Sequence, residues 1–506
     1  MAEASQRDRA GTRPHFLDEL RATFAARAHQ PAVCCQDRSW TYQDLEVKAR
    51  RCAARLRRLG AGPGDRVAIV TAEKLPFLVA HLGTLYAGAV SLPINPKFTP
   101  DELRYVLQDS GARVVVAGAH ELPVIDSLRP DLPGLRALLP DAEAWEAPEA
   151  AFTQATAGRE DPCLMIYSSG TTGRPKGIVH TQANLASSIR ALQSCWRFTP
   201  DDVLVNVLPL FHIHGLSFGT HLSLLTGCRM LVEPAFHPRR TLDLIGRGTV
   251  FMAIPTFYYS VLDRPEFRTA ARGWSHVRLF TCGSAPIRPE VLPELESILG
   301  RPVINRYGMT EAHVVTSLPL DGPWPQGSVG LPLEGLEVRL VTEDGSTAAP
   351  GQVGSVQLRG PNLFRAYWRR PEATRDAFAS GWFETGDLGR RDADGFLTLV
   401  GRKHDLIITN GFNVYPQVVE RVINECPGVR ESAVIGVPDQ RRGERVVAAV
   451  VRADETLSER SLRTYFGERL VDYQRPAAVR FVAELPRNAM GKVLRRALRD
   501  ELARGS

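Results

Sequence analysis

The N-terminal part of the chain alternates between helical and strand-like patterns of apolar positions. Thr41 is a candidate N-cap, and apolar residues then recur at helical spacing through Leu56 until Gly60. The run RVAIV (66–70) predicts a short strand, 75–86 a helix, and AVSLPI the next strand. The segment TPDELRYVLQDSGARVVVAG then repeats the order of cap, helix, glycine terminator and strand. This alternation predicts a mostly parallel sheet with helices on its faces.

The same rhythm resumes after residue 160, and the pattern changes near residue 325. Glycine-punctuated runs such as GLEVRLV and GFLTLVGR predict antiparallel meanders or a small barrel. From Lys403 onward, a strand, helix and strand pattern predicts a unit with its own core. We expect an α/β protein in which residues 1–401 form a large N-terminal domain of βα-type subdomains plus a small β-barrel-like part. Residues 402–506 would form a small α+β C-terminal domain.

Charge and cysteine content exclude several classes of protein. The 506 residues carry 62 Lys and Arg against 56 Asp and Glu, and a net charge of +6 is too dilute for nucleic-acid binding. The eight cysteines form neither a CxxC pair nor a zinc-type cluster, which favours a reducing compartment. No secretory signal and no apolar stretch of membrane-spanning length is present. The sequence therefore predicts a soluble, cytoplasmic protein without integral membrane association, and it does not predict an oligomeric state.

A loop of small and hydroxylated residues follows the apolar run that ends at Tyr167. Small residues allow the backbone to approach a polyphosphate, hydroxyl and N–H groups donate to its oxygens, and a lysine supplies charge. Lys176 is separated from Gly173 and followed by glycine, so this loop is not a Walker A loop. We expect it to precede a helix that starts near Thr181. The candidate phosphate-binding residues are Ser168, Ser169, Gly170, Thr171, Thr172, Gly173 and Lys176.

Six motifs in a fixed order carry a resemblance over nearly the whole chain. They are SSGTTGRPKG (168–177), RYGMTE (306–311), GD (386–387), GR (401–402), GFNVYP (411–416) and PRNAMGK (486–492). This set resembles the superfamily of acyl-CoA synthetases, luciferases and peptide-synthetase adenylation domains. The resemblance implies an enzyme that uses ATP and Mg²⁺ to activate a carboxylic acid as its acyl-AMP and then transfers the acyl group to coenzyme A. It also implies that the C-terminal domain is mobile, with a hinge near residue 402.

The resemblance also implies roles for individual residues. Lys492 would stabilise the charge that develops between the attacking carboxylate and the α-phosphate. Glu311 and Thr171 would lie on the magnesium side, because a hard cation prefers oxygen ligands. Gly411 would enter the site for thioester formation. The nucleotide-binding residues implied are Gly283, Ser284, Ala285, Tyr307, Gly308, Thr310, Asp387 and Arg402.

The acid is the least determined part of the prediction. The motif FHIHG (211–215) has two histidines but no third ligand nearby, so we interpret His212 as lining the acyl pocket rather than binding a metal. The chain resembles the malonyl-CoA synthetase branch most, in which Arg306 would grip a second carboxylate. A structural salt bridge at Arg306 is equally compatible with the sequence. A short- or medium-chain monocarboxylate also stays open as the acid, as does a carrier protein as the acceptor.

Three positions depart from the pattern of the superfamily. His404 stands at the hinge where Asp or Lys is usual, which leaves the hinge chemistry open. Cys282 replaces a serine before Gly283, and Ala235 stands where some malonate-specific relatives carry arginine. Arg239 and Arg240 are close to Ala235 in sequence and could supply positive charge in its place.

Overall fold

The computed structural model describes residues 15–146, 157–168, 174–488 and 491–504. A π-helix, His214–His221, directly precedes the seventh of the α-helices. The α-helices of these residues are α1 (Phe16–Ala26), α2 (Tyr42–Arg58), α3 (Lys74–Tyr86), α4 (Pro100–Ser110), α5 (Leu122–Ser127), α6 (Gln182–Cys195), α7 (Leu222–Thr226), α8 (Pro238–Ile245), α9 (Pro255–Leu262), α10 (Pro265–Ala271), α11 (Leu292–Leu299), α12 (Pro371–Ala377), α13 (Pro416–Asn424), α14 (Glu459–Gly467) and α15 (Arg495–Arg504).

The strands fall into four sheets. They are β1 (Pro31–Cys35), β2 (Arg38–Thr41), β3 (Arg66–Val70), β4 (Val90–Pro93), β5 (Val114–Ala117), β6 (Ala137–Pro140), β7 (Pro162–Tyr167), β8 (Gly177–Thr181), β9 (Val203–Asn206), β10 (Arg229–Val232), β11 (Val250–Ala253), β12 (Leu279–Cys282), β13 (Val303–Met309), β14 (His313–Ser317), β15 (Leu331–Pro332), β16 (Glu337–Val341), β17 (Val353–Arg359), β18 (Ala366–Tyr367), β19 (Phe378–Ala379), β20 (Trp382–Arg391), β21 (Leu397–Arg402), β22 (Ile407–Thr409), β23 (Phe412–Val414), β24 (Val429–Asp439), β25 (Gly443–Arg452) and β26 (Ala478–Phe481).

Two large sheets build the N-terminal domain, as the alternating pattern predicts. One has the order β15-β14-β13-β12-β11-β9-β10-β1-β2, and the other β18-β8-β7-β4-β3-β5-β6. Strands in the middle of both sheets pair in parallel, and the antiparallel pairs lie toward the edges. The largest apolar cluster contains residues of both sheets, such as Ile69 and Leu204, together with residues of α2, α3 and α6. The shared core therefore holds the two sheets in one domain.

Local signals set most of the predicted element ends. Thr41 caps α2 with its side-chain oxygen accepting from the N–H of Asp44, and Thr99 caps α4 in the same way. The helix α4 ends at Gly111, whose φ of +61° lies in the left-handed region that glycine adopts without strain. These boundaries confirm the predicted caps and terminator.

A strand that the sequence pattern does not predict lies next to the candidate phosphate loop. The helix near Thr181 is confirmed, because α6 begins at Gln182 with Thr181 as its N-cap. Between the candidate phosphate loop and α6, however, β8 pairs antiparallel with β7. All five residues of β8 are buried, so the segment lacks the alternation of polar and apolar positions that identifies a half-buried strand.

The third sheet is antiparallel and contains β16, β17, β20, β19 and β21. The order is β16-β17-β20-β19, and β21 pairs with the C-terminal part of β20. The strand pairs among the described residues therefore form an open sheet. Its core includes Leu340, Val356 and Phe383. This is the antiparallel meander predicted after residue 325.

The small C-terminal domain contains the fourth sheet and α13, α14 and α15. Its strand order is β23-β22-β25-β24, and β26 runs parallel to β25. Two apolar clusters of this domain contain only residues from Ile407 onward. The boundary at residue 402 and the mobility of the domain stay predictions. Among the described residues, the structure has no helix with the length and apolar character needed to cross a bilayer.

Candidate active site

The carboxyl ends of four neighbouring strands bring distant segments of the chain together. Strands β9, β11, β12 and β13 pair in parallel, so their carboxyl ends lie at the same edge of the sheet. The FHIHG motif follows β9, Thr256 follows β11, the segment Gly283–Ala285 follows β12, and β13 contains Arg306 and Tyr307. This edge therefore collects most of the residues that the sequence proposes for the acid and the nucleotide.

Asp387 connects β13 to the third sheet. Its carboxylate is buried and accepts a hydrogen bond from the Tyr307 hydroxyl at 2.5 Å, while the second oxygen lies 3.0 Å from Nε of Arg402. Burial and the Asp387 carboxylate raise the pKa of Tyr307 well above its usual value, so the hydroxyl stays a donor. Burial alone would lower the pKa of Arg402, but nearby acidic groups, Asp387 first, outweigh it and raise that pKa. We call Tyr307, Asp387 and Arg402 the Asp387 group. The charges of this group are thus paired within the protein.

Gly308 is required by a close approach of the backbone. A Cβ atom at this position would lie 2.3 Å from the carbonyl oxygen of His313 on the paired strand β14. Two residues further on, the Thr310 carbonyl accepts a hydrogen bond from Nε2 of buried His180 at 2.7 Å. The turn that contains Thr310 and Glu311 is therefore fixed by contacts from both β14 and β8.

The ends of the candidate phosphate loop are anchored. The N–H of Ser168 donates to the Lys176 carbonyl at 3.1 Å, and Tyr105 donates to the Pro175 carbonyl at 2.8 Å. The ammonium of Lys176 lies 5.0 Å from the centre of the Tyr367 ring. Between these anchors, Ser169, Gly170, Thr171, Thr172 and Gly173 lie outside the described residues.

Glu311 lies between the phosphate loop and the Asp387 group. Its Oε1 accepts a hydrogen bond from the Tyr367 hydroxyl at 3.1 Å. Burial raises the pKa of the Glu311 carboxyl. A cation bound beside this carboxyl would lower that pKa. Among the described residues no three His, Cys, Asp or Glu side chains are grouped to hold a metal. A hard cation at this point would thus combine the Glu311 carboxylate with phosphate oxygens, a donor set that fits Mg²⁺.

Lys492 of the C-terminal domain reaches this N-terminal cluster. Burial lowers its pKa to about 8, Arg402 adds to the lowering, and Asp387 and Asp405 oppose it. The adjacent Gly491 packs against Thr256, because a Cβ there would lie 2.9 Å from Cγ2 of that threonine. The structure therefore brings the ammonium of Lys492 to the Asp387 group.

Arg306 is a buried cation without a carboxylate partner among the described residues. Only 3% of the residue is exposed, its Cζ lies 4.7 Å from the centre of the Phe218 ring, and its Nε and Nη2 have no hydrogen-bond acceptor. A Cβ at Gly283 would lie 2.5 Å from Cζ of Arg306, so the guanidinium packs directly on the turn after β12. Burial lowers the pKa of Arg306 to about 10, which leaves it charged at neutral pH. The described residues thus offer no structural salt bridge for it.

His214, the second histidine of the FHIHG motif, contacts another proposed site residue. Its Nδ1 lies 3.0 Å from Oγ of Ser284, which has a φ of +72° and precedes the partly buried Ala285. Burial, followed by the nearby Arg306, lowers the pKa of His214 well below its usual value. Burial also lowers the pKa of His212, to about 4. Both imidazoles are therefore neutral at pH 7.

Several proposed residues lie away from this cluster. Gly411 is exposed at the tip of the β22–β23 hairpin, and a Cβ there would meet nothing within 4 Å. Ala235, Arg239 and Arg240 are exposed, and Arg239 lies 3.4 Å from Glu266. The two arginines are thus not a source of charge for the pocket. His404 pairs with Asp405 at 3.5 Å.

Sequence reasoning missed three residues of the site, namely Tyr367, His214 and Thr256. Tyr367 follows a long loop and belongs to a two-residue strand, so no periodicity identifies it. The sequence gives no reason to prefer His214 over His212, whereas the structure has His214 at the start of the π-helix with its Nδ1 beside Oγ of Ser284. Thr256 has no chemical signal of its own, and only its contact with Gly491 reveals it.

Comparisons with known proteins agree with this geometry. The family model "AMP-binding enzyme" matches residues 20–368, and "AMP-binding enzyme C-terminal domain" matches residues 418–492. The chain is 36% identical to the long-chain-fatty-acid–CoA ligase FadD13 of Mycobacterium tuberculosis over 95% of this chain and 97% of the relative. It is 33% identical to the long-chain-fatty-acid–CoA ligase of Escherichia coli O157:H7, over 97% and 95%. The solved structure of ATP-bound MatB from Rhodopseudomonas palustris is 38% identical, covers 96% of this chain and 99% of its own, and superposes with a TM-score of 0.91. The chain belongs to the AMP-binding enzyme family and is an ATP-dependent, AMP-forming acyl-CoA ligase.

Proposed function

We propose that this ligase activates a short dicarboxylic acid, malonate or methylmalonate, and forms the corresponding CoA thioester. The observation that carries the proposal is the buried guanidinium of Arg306 beside the turn at Gly283, whose Nε and Nη2 have no acceptor among the described residues. A buried charge is costly unless it is paired and hydrogen-bonded. The second carboxylate of the substrate would supply the missing partner and accept from two N–H groups at once.

The position of Arg306 favours a short spacer between the two carboxylates. The guanidinium packs on Gly283, and the next residue, Ser284, belongs to the turn proposed to approach the nucleotide. The reacting carboxylate must reach the α-phosphate on the same side of this turn. A short spacer would let one carboxylate reach Arg306 while the other reacts beside the same turn, and malonate and its 2-methyl derivative have a one-carbon spacer.

In the first half-reaction, a carboxylate oxygen attacks the α-phosphorus of ATP and the bond to pyrophosphate breaks. The acid is already ionised at pH 7, so no general base is required. Lys492 would stabilise the charge on the oxygens around the α-phosphorus, and Lys176 the charge on the leaving pyrophosphate. Mg²⁺ would neutralise phosphate charge when bound, and Glu311 with Thr171 would hold it. Tyr307 would contact the adenine, and Asp387 with Arg402 would contact the ribose.

The second half-reaction needs a different arrangement of the C-terminal domain. The thiol of CoA attacks the acyl carbonyl, the thiol proton is released, and AMP leaves. In this structure Lys492 lies near Arg402 and Asp387, and the Gly411 hairpin is exposed. We infer that the domain moves near residue 402, withdrawing Lys492 and bringing Gly411 to the site.

A long-chain fatty acid is the second candidate substrate, because two relatives at 36% and 33% identity are named long-chain-fatty-acid–CoA ligases. A fatty acid offers no anion to Arg306. An apolar chain would thus have to pass a buried charge, which is unfavourable. The charge in the pocket is why we place the dicarboxylate first.

The decisive experiment measures pyrophosphate release with ATP, Mg²⁺ and CoA over malonate, methylmalonate, succinate, butyrate and palmitate. We expect the largest kcat/KM for malonate or methylmalonate. Substitution Arg306→Ala should lower kcat/KM for malonate about 100-fold and for butyrate no more than about threefold, because a buried charge-paired contact is lost only with malonate. The exposed Arg239→Ala is the matched control and should change neither value.

Two different outcomes would redirect the proposal. A maximum at palmitate, with equal losses for all acids in Arg306→Ala, would assign the second candidate and make Arg306 structural. Absence of pyrophosphate release with every acid would contradict the ligase mechanism itself.

A further inference from the structure

A two-residue strand connects the phosphate loop to the Glu311 turn. Strand β18 pairs antiparallel with β8, with Tyr367 opposite Ile178. The N–H of Trp368 extends this pairing by donating to the Gly177 carbonyl at 2.7 Å. On the other side of β18, the N–H of Phe364 donates to the Glu311 carbonyl at 2.8 Å. The backbone around Tyr367 is thus fixed to both segments.

The side chain of Tyr367 contacts two site residues in different ways. Its hydroxyl donates to Oε1 of Glu311 at 3.1 Å, and the ammonium of Lys176 lies 5.0 Å from the centre of its ring. No other side chain among the described residues donates to the Glu311 carboxylate. Burial and the Glu311 carboxylate raise the pKa of Tyr367 far above physiological pH, so the hydroxyl remains a donor.

We propose that Tyr367 is a positioning residue, whose hydroxyl orients the Glu311 carboxylate for Mg²⁺ and whose ring holds the Lys176 ammonium for the phosphates of ATP. This inference rests on the proposed roles of Glu311 and Lys176. A hydrogen bond to one carboxylate oxygen fixes the rotamer and leaves the other oxygen for the cation. An aromatic face attracts an ammonium without neutralising it, so Lys176 keeps its charge for phosphate.

The two functions can be separated because they belong to different parts of one side chain. Tyr367→Phe removes the hydroxyl and keeps the ring, so only the contact with Glu311 is lost. Tyr367→Leu removes both contacts. Tyr105→Phe is the matched control, since it also removes a tyrosine hydroxyl that bonds near the phosphate loop, at the Pro175 carbonyl.

The test measures binding as well as turnover. Mn²⁺ is titrated into the full-length protein with α,β-methylene-ATP, and free Mn²⁺ is followed by electron paramagnetic resonance. Affinity for the analogue without metal is measured by calorimetry. We expect Tyr367→Phe to weaken Mn²⁺ binding about tenfold, as for other groups that orient metal ligands, and to leave metal-free analogue binding unchanged. Tyr367→Leu should also weaken metal-free binding about threefold.

Each result decides the inference. Wild-type Mn²⁺ affinity in Tyr367→Phe would overturn it, and so would an equal loss in Tyr105→Phe, which would indicate general loosening of the loop. If Tyr367→Leu does not fold, Tyr367→Phe alone decides the Glu311 part. Failure of the proposed function is distinguishable, because Glu311→Gln would then leave Mn²⁺ binding unchanged and the wild type would release no pyrophosphate.

Discussion

The two sides of the site differ in how their charges are compensated. On the nucleotide side, which we define as Tyr307, Asp387, Arg402 and Lys492, the Asp387 carboxylate is bound by Tyr307 and Arg402 at 2.5 and 3.0 Å. On the acid side, defined as Arg306, His214 and Ser284, the guanidinium has two nitrogens without acceptors and its nearest ring is Phe218.

Under the proposed function, the difference follows from what each side must recognise. Every reaction cycle uses the same nucleotide, so its contacts can be built from residues that already hold one another in place, which lowers the entropy lost on binding. The acid side leaves one charge for the substrate to complete. An acid without a second carboxylate leaves that charge unpaired, and this penalty selects against it.

Removing the lysine of the nucleotide side should have the largest effect. We expect Lys492→Ala to slow acyl-AMP formation on the order of 10³-fold, because one preorganised charge at the α-phosphorus is lost. Thioester formation from supplied acyl-AMP should change less than about threefold. The measurement is pyrophosphate release for the first step and AMP release for the second, with exposed Lys97→Ala as control. Equal losses in both steps would contradict this role.

The unequal charge pairing also predicts opposite effects on stability. Asp387→Asn should destabilise the ligand-free protein by about 3 kcal/mol, because it leaves Arg402 without its buried partner. Arg306→Met should stabilise it by about 1–3 kcal/mol, because an unpartnered buried charge is replaced by an apolar chain of similar length. Melting and urea midpoints, with exposed Arg197→Met as control, report the signs. Destabilisation by both substitutions would mean that Arg306 is already compensated.

The motif residues of the nucleotide side could be predicted from the sequence, but the difference between the two sides could not. Short runs rich in apolar and β-branched residues are enough to predict β9, β11, β12 and β13, and parallel pairing then brings Gly283 and Tyr307 to one edge. Whether Arg306 has a partner depends on which side chains fill the space around it. That is a property of packing among distant segments, and residue spacing along the chain does not report it.

The same limit applies to Tyr367 and to the histidines. The contact of Tyr367 with Glu311 depends on β18 pairing with β8, two segments that are far apart in sequence. His212 and His214 are both polar residues in an apolar segment, and the π-helix that starts at His214 determines which of them meets Ser284. The sequence pattern identifies the FHIHG motif, and only the geometry of the π-helix distinguishes its two histidines.

The pH dependence should separate the two half-reactions. Because the pKa of Lys492 is lowered to about 8, its ammonium is present below pH 8 and is lost as the pH rises through that value. Acyl-AMP formation should therefore fall about tenfold per pH unit above 8. The thioester step should instead rise toward pH 8.5 as the CoA thiol ionises. Stopped-flow or quench measurements of each step over pH 6–10 test this, and Lys492→Arg should remove the alkaline fall because arginine stays charged.

Two buried histidines contact each other at the end of the π-helix. Nε2 of His81 lies 2.8 Å from Nε2 of His221, the last residue of the π-helix that begins at His214, and both residues are buried. One nitrogen can donate to the other only while the accepting Nε2 is unprotonated, so at least one ring must be neutral. Burial lowers the pKa of His81 to about 3, and burial followed by His81 lowers that of His221 well below its usual value.

The folded-state pKa of each of these imidazoles is below the unfolded value near 6.5. Their contribution to the free energy of unfolding is therefore fully present above pH 6.5 and is lost as the pH falls toward the folded-state pKa. The loss should be about 1 kcal/mol for each imidazole at pH 5.5. Replacing both His81 and His221 by asparagine lowers stability at every pH, since Ser91 and Ser217 lose their partners. The same double substitution should flatten the dependence of the urea midpoint on pH between pH 6.5 and 5.5. Exposed His276→Gln is the control and should keep the slope. An unchanged slope in the double variant would mean that protonation of His81 and His221 does not destabilise the protein in this pH range. The uncompensated charge would then be confined to Arg306.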